Sequence, residues 1–95
     1  MNPYEVLYVI RTDITDEAIA GVMERFASII TDNGATIDKV EPWGKKRLAY
    51  PIDYKNEGFY VLLNMTAAPD FPMELERNFR NAEEILRYLV IRKEA

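Results

Sequence analysis

The run Gly44-Lys45-Lys46-Arg47-Leu48-Ala49-Tyr50-Pro51-Ile52 sets three consecutive cations at the head of an alternating apolar segment. A basic triplet beside a strand is an electrostatic handle for phosphate or for an acidic partner. It stands out because the whole chain carries a net charge of −4. A second group of cations lies near the C-terminus, where Arg77, Arg80, Arg87, Arg92 and Lys93 face only Glu83 and Glu84 between positions 77 and 93. Phosphate is drawn first to the most positive region, so this group is the stronger candidate for contact with a nucleic acid.

Other chemistries lose their usual tools. The chain has neither cysteine nor histidine, which removes the thiolate nucleophile, the commonest general base and the commonest zinc ligands. Neither a metal nor a cofactor is expected, and no small-molecule substrate. The first residues lack a cationic leader segment, and no apolar run approaches the roughly 18 residues needed to cross a bilayer, so a cytoplasmic protein is expected. Residues 1–44 hold three cations against eight carboxylates, whereas residues 45–95 hold nine against eight. An acidic chain repels phosphate at long range, so contact with RNA has to be local or shared with a basic partner.

The elements that position these residues can be read along the chain. At 95 residues there is room for one domain, 1–95, with one modest core. Apolar residues at 48% and charged ones at 29% suit a folded globule rather than a disordered segment. Tyr4–Ile10 reads as a strand. Thr15 caps a helix that Asp16 and Glu17 favour at its positive end, with Ile19, Val22, Met23, Phe26, Ile29 and Ile30 on one stripe and Asn33-Gly34 as the stop. Positions 35–40 start a second strand that resumes through Leu48, Tyr50 and Ile52, with a bulge or break at Pro42 and Gly44.

A polar turn over 53–58 then leads into the nearly continuous apolar strand Phe59–Met65. Asp70 as cap, Pro72 in the first turn, and Leu75 and Phe79 on a stripe predict a second helix over 70–81. The remaining segment fits either a continued helix or a last strand; the β-rich run Tyr88-Leu89-Val90-Ile91 favours the strand, after a turn near 81–84. The resulting order, β-α-β-β-α-β, predicts an α+β ferredoxin-like fold with a four-stranded antiparallel sheet and two helices on one face.

The segment Gly44 through Ile52, placed mid-chain, resembles the signature of the bacterial small-subunit ribosomal protein six family. Tyr4-Glu5-Val6, Asn33-Gly34-Ala35 and Lys39-Val40-Glu41 are similar to that family at matching places, so the resemblance covers nearly the whole chain. Asp53 departs from it, being acidic where the family has a basic or small residue. The resemblance implies the same fold and a structural constituent of the small ribosomal subunit. It further implies binding to the central domain of 16S ribosomal RNA together with small-subunit ribosomal protein eighteen. That companion is strongly basic in the family, and an acidic chain can pair with it electrostatically.

Site expectations follow. Asn2, Arg87, Arg92 and Lys93 are the expected RNA contacts, with the two chain ends meeting. Trp43, Lys45, Lys46 and Arg47 are expected at the partner protein, Trp43 partly buried there. In the first strand Tyr4, Val6, Tyr8 and Ile10 share the helix-facing side with Tyr88 and Val90, leaving Glu5, Leu7, Val9, Arg87, Leu89 and Ile91 on the other. Phe59, Val61 and Leu63 are weighed on that second side, where they complete an apolar partner surface. The alternative is that they belong to a buried central strand.

Two other function classes compete with this one. Glu57-Gly58-Phe59-Tyr60-Val61 resembles a motif of RNA-recognition modules that stack single-stranded bases on exposed aromatics, but Glu57 stands where those have a cation. Acylphosphatases share the architecture but need glycines in the first strand-to-helix loop, and Arg11–Asp16 has none and carries two aspartates. The adjacent Glu83 and Glu84 read as a solvated turn rather than an acid-base pair. No enzymatic activity is expected.

Overall fold

The computed structural model describes the backbone of residues 1–52 and 55–93 and the side chains of residues 1–48 and 57–93. Its elements are β1 (Asn2–Ile10), α1 (Asp16–Asp32), β2 (Thr36–Ile52), β3 (Lys55–Ala67), α2 (Phe71–Asn81) and β4 (Ile85–Arg92). The strands form one antiparallel sheet in the order β2-β3-β1-β4, the ferredoxin-like arrangement. Both helices lie on one face of it, over a shared core.

The strict alternation of β1 positions everything else. Tyr4, Val6, Tyr8 and Ile10 are all buried beneath the helices, and their partners in β3 are Met65, Leu63, Val61 and Phe59. α1 contributes Ile19, Val22, Phe26 and Ile30 from its apolar stripe, and α2 contributes Phe71, Leu75 and Phe79. Four rings meet at the centre: Phe26 and Phe79 stack with centroids 4.5 Å apart, Tyr8 lies 5.2 Å from Phe79, and Tyr88 of β4 lies 5.4 Å from Phe79. Burial there pushes the Tyr8 phenol pKa up.

Helix limits follow local chemistry. Thr15 Oγ1 accepts from the Ala18 N–H at 3.1 Å, and Gly34, at φ +82°, turns the chain out of α1. Asp70, the expected cap of α2, has helical backbone angles and makes no side-chain capping bond. The chain enters α2 instead through a turn in which the Phe71 N–H donates to Ala68 O at 3.1 Å. α2 ends at Asn81 without glycine or proline, because the following residues are taken up by the sheet: the Arg11 N–H donates to Glu84 O at 2.8 Å, and β4 pairs with β1 from there. The last strand therefore forms, rather than a helix continuing to the end.

β2 runs through Pro42 and Gly44 unbroken, with a register shift between them: Pro42 faces Val61, Gly44 faces Tyr60, and Trp43 is the extra residue. Gly44 takes φ +84° at this bulge, a conformation that favours glycine. The expected polar turn is shorter than 53–58, since β3 already begins at Lys55; residues 53 and 54 lie outside the described residues. Gly58 has a different reason to be glycine, because a Cβ there would stand 2.2 Å from Val9 Cγ1. Val9 and Leu48 close over that position on the side of the sheet away from the helices.

The β3 placement corrects one expectation. Val61 and Leu63 are buried in the helix-facing core, and Phe59 packs against the same core, so they do not line an open apolar face. From Phe59 to Met65 almost every residue is apolar, and only pairing with β1 decides which side each one takes.

Candidate functional site

The open face of the sheet is built from the complementary parity. Tyr60, Leu62 and Asn64 of β3 lie opposite Val9, Leu7 and Glu5 of β1, which in turn pair with Arg87, Leu89 and Ile91 of β4. Leu89 and Ile91 are about half exposed, at 52% and 47%. Tyr60, Leu62 and Asn64 escaped the sequence reading. A signal for them existed: Asn64 is the polar residue that interrupts the apolar run, and polar residues in such a run mark the side away from the core. The Asn64 Oδ1 atom is enclosed and has no hydrogen-bond donor among the described residues. A buried acceptor left so costs about 1–3 kcal/mol.

The end of the molecule where the two termini meet carries the second candidate surface. Arg92 Nη2 donates to Asn2 Oδ1 at 3.2 Å, and the Lys93 N–H donates to Pro3 O at 2.9 Å. Asn2, Arg92 and Lys93 thus form one pole, and neither cation is paired with a carboxylate among the described residues. Arg87 is not part of it. Arg87 pairs with Val9, five residues from Arg92 on the opposite side of the sheet, about 16 Å away along the strand. The expected four-residue patch is therefore split.

The basic triplet is divided as well. By register Lys45 and Arg47 take the side of Phe59 and Glu57, and Lys46 takes that of Gly58. Lys45 Nζ lies 3.6 Å from Asp16 Oδ1, while Glu57, opposite Arg47, accepts from Thr12 Oγ1 at 3.1 Å. Lys46 Nζ sits 5.9 Å from the centre of the Trp43 ring, and the Trp43 Nε1–H reaches Glu41 Oε2 at 3.5 Å. Hydrogen bonds from Lys39 and Trp43 hold the Glu41 carboxyl below the usual carboxylate range. Trp43 is 45% exposed at the rim of the open face.

The alternatives lose their geometry. A base-stacking platform needs exposed aromatics on the two central strands. Phe59 turns to the core and β1 offers Glu5, Leu7 and Val9, so Tyr60 stands alone there. In the β1-to-α1 loop Arg11 Nη2 donates to its neighbour Asp13 Oδ2 at 2.7 Å, which occupies the group a phosphate would need. Glu84 is held by Arg25 at 3.0 and 3.2 Å, and these hydrogen bonds lower its pKa. Among the described residues no cluster of three metal-ligating side chains occurs, and no helix is long and apolar enough to cross a membrane.

Known proteins are similar to this chain in sequence and in fold. The family model described as Ribosomal protein S6 matches residues 3–92. Small ribosomal subunit protein bS6 of Caldanaerobacter subterraneus is 46% identical over 92 residues, covering 97% of both chains. Its counterpart in Exiguobacterium sibiricum is 45% identical over 94 residues, covering 99% of both. The crystal structure of 30S ribosomal protein S6 from Thermotoga maritima superposes with a TM-score of 0.93 at 31% identity, over 97% of this chain and 87% of that one. These relatives are ribosomal proteins, not enzymes. With the resemblance of Gly44–Ile52, the sheet order and full-length similarity in agreement, the chain belongs to the ribosomal protein S6 family of the small ribosomal subunit.

Proposed function

We propose that residues 1–95 act as one cytoplasmic domain that binds the central domain of 16S ribosomal RNA jointly with small-subunit ribosomal protein eighteen. The observation that carries the reading is the separation of two surfaces. An open sheet face with half-exposed leucine and isoleucine suits a protein partner, and a pole at Asn2, Arg92 and Lys93 presents cations that no described carboxylate neutralises. The net charge of −4 supports a division of labour, because it leaves the chain too acidic to hold RNA by long-range attraction alone. A basic companion supplies most of the RNA affinity, and this chain orients it and adds a few phosphate contacts.

Filter binding of a central-domain RNA fragment tests this with the chain alone, protein eighteen alone and the two together. Tight binding by the pair and weak binding by this chain alone is the expected result. Equal affinity for RNA with and without protein eighteen overturns the shared-site reading.

A further inference from the structure

The open face is not uniformly apolar. Antiparallel partners point the same way, so side chains form rows across the sheet. One row places Glu5 beside Asn64 on the two central strands, with Lys39 at the β2 edge and Ile91 at the β4 edge. Lys39 is already engaged, its Nζ lying 2.5 Å from Glu41 Oε1. Glu5 has no ion pair or hydrogen bond from a side chain among the described residues, and its neighbour Asn64 has an acceptor without a donor. The adjacent row has leucine on three strands, Leu89, Leu7 and Leu62, and ends at the β2 edge on Glu41, the carboxylate that holds Lys39.

Whatever covers those leucines also covers Glu5, and an unpaired carboxylate taken out of water is strongly unfavourable. A covering surface must therefore bring a positive charge to that place. RNA phosphate meets repulsion from Glu5, and a second copy of this acidic chain brings a second unpaired carboxylate to the same face. The Asn64 carboxamide turns about a soft torsion, so its oxygen can be presented to a donor arriving beside Glu5. We infer that Glu5 and Asn64 together form the seat for one cationic side chain, an arginine or lysine, of the basic partner protein, whose apolar side chains cover Leu7, Leu62 and Leu89. The inference rests on the reading given above and names where, and by what chemistry, the partner is selected.

Calorimetric titration with purified protein eighteen at low and moderate salt decides it, using the unaltered chain, Glu5→Gln, Asn64→Leu, Asn64→Asp and the Glu5→Gln/Asn64→Leu double variant. Each of Glu5→Gln and Asn64→Leu should weaken binding about tenfold, the loss of one charge-assisted hydrogen bond. Glu5→Gln should also flatten the salt dependence. The double variant should lose less than the product of the two, because both groups hold the same cation. Asn64→Asp keeps the acceptor and should bind at least as well as the unaltered chain, and a denaturation curve for Asn64→Leu like that of the unaltered chain shows that its loss of binding is not a loss of fold.

Failure of the unaltered chain to bind protein eighteen overturns the underlying reading and this inference with it. Binding that is intact in the unaltered chain and undiminished in Glu5→Gln and Asn64→Leu overturns the inference alone. A gain of RNA affinity by Glu5→Gln in the absence of any partner assigns the face to RNA and overturns it too. So does self-association of the unaltered chain that Glu5→Gln strengthens.

Discussion

The two faces of one sheet are made from alternate residues of the same strands, yet they have opposite tasks. The helix-facing side is closed by the rings of Tyr8, Phe26 and Phe79 and by Val6, Val61, Leu63 and Met65, all essentially inaccessible, with the partly buried Tyr88 packed against them. The open side keeps a row with three leucines, the carboxylates of Glu5 and Glu41, and in Asn64 an acceptor that no described residue donates to. Hydrophobicity along the strands barely distinguishes the two, since Leu62 and Leu63 are neighbours of the same type. The difference lies in what each side is packed against, so substitutions of like chemistry should have unlike consequences on the two sides.

The largest effect should come from the ring cluster. Phe79→Ala removes the ring in contact with Tyr8, Phe26 and Tyr88 and should cost about 3–5 kcal/mol in chemical denaturation. Leu89→Ser on the open face should stay within about 0.5 kcal/mol of the unaltered protein. Equal losses would break the comparison. Next, Gly58→Ala should destabilise by about 1–3 kcal/mol, because the new methyl group meets Val9 Cγ1 where that side chain closes over the open side. A neutral result would show that Val9 moves aside freely.

A smaller effect, on binding rather than folding, is expected at the terminal pole. Replacing Arg92 and Lys93 with alanine should lower the affinity of the protein pair for RNA about tenfold and reduce the salt slope by about 0.9 for each lost phosphate contact on a duplex, as measured by filter binding. Arg87→Ala, on the other side of the sheet, should act separately; if the three losses behave as one site, the pole extends further than the distances along β4 indicate. Pairing with protein eighteen should survive the Arg92 and Lys93 changes.

The smallest effect is the pH dependence of the Arg25–Glu84 pair at the α2-to-β4 turn. The folded pKa of Glu84 is lowered, first by its hydrogen bond from Arg25, so its contribution is present above the ordinary carboxylate pKa of about 4.3 and is lost as pH falls through the folded value. The pair is partly solvated, at 45% and 29% exposure, so Glu84→Gln should cost under about 1 kcal/mol at pH 7 and nothing in strong acid. Denaturation curves at the two pH values check this.

Much of the fold was legible because its signals are local. Thr15 and Gly34 bracket α1, the spacing from Ile19 to Ile30 orients it, and the alternation of β1 assigns both of its sides. The order of elements and the Gly44–Ile52 segment then pointed to the ribosomal family. The surfaces were legible only in part. Lys45, Lys46 and Arg47 are adjacent cations in sequence, but the strand's alternation sends them to different sides and brings Asp16 close to Lys45. Likewise Arg87, Arg92 and Lys93 look like one group in sequence, while five residues of strand separate the first from the second.

What the sequence by itself determined is therefore what depends on neighbours along the chain: the Thr15 cap, the helix stripes, the alternation of β1 and its end at the polar stretch that follows Ile10. Only the tertiary structure decided the side taken by Phe59, Val61 and Leu63. Their strand is apolar at nearly every residue, and its register is set by hydrogen bonds to β1, which shift every side chain to the other face if they slip by one residue. The same cross-strand register placed Asn2 beside Arg92, 90 positions apart, and left Glu5 beside Asn64 on the open face.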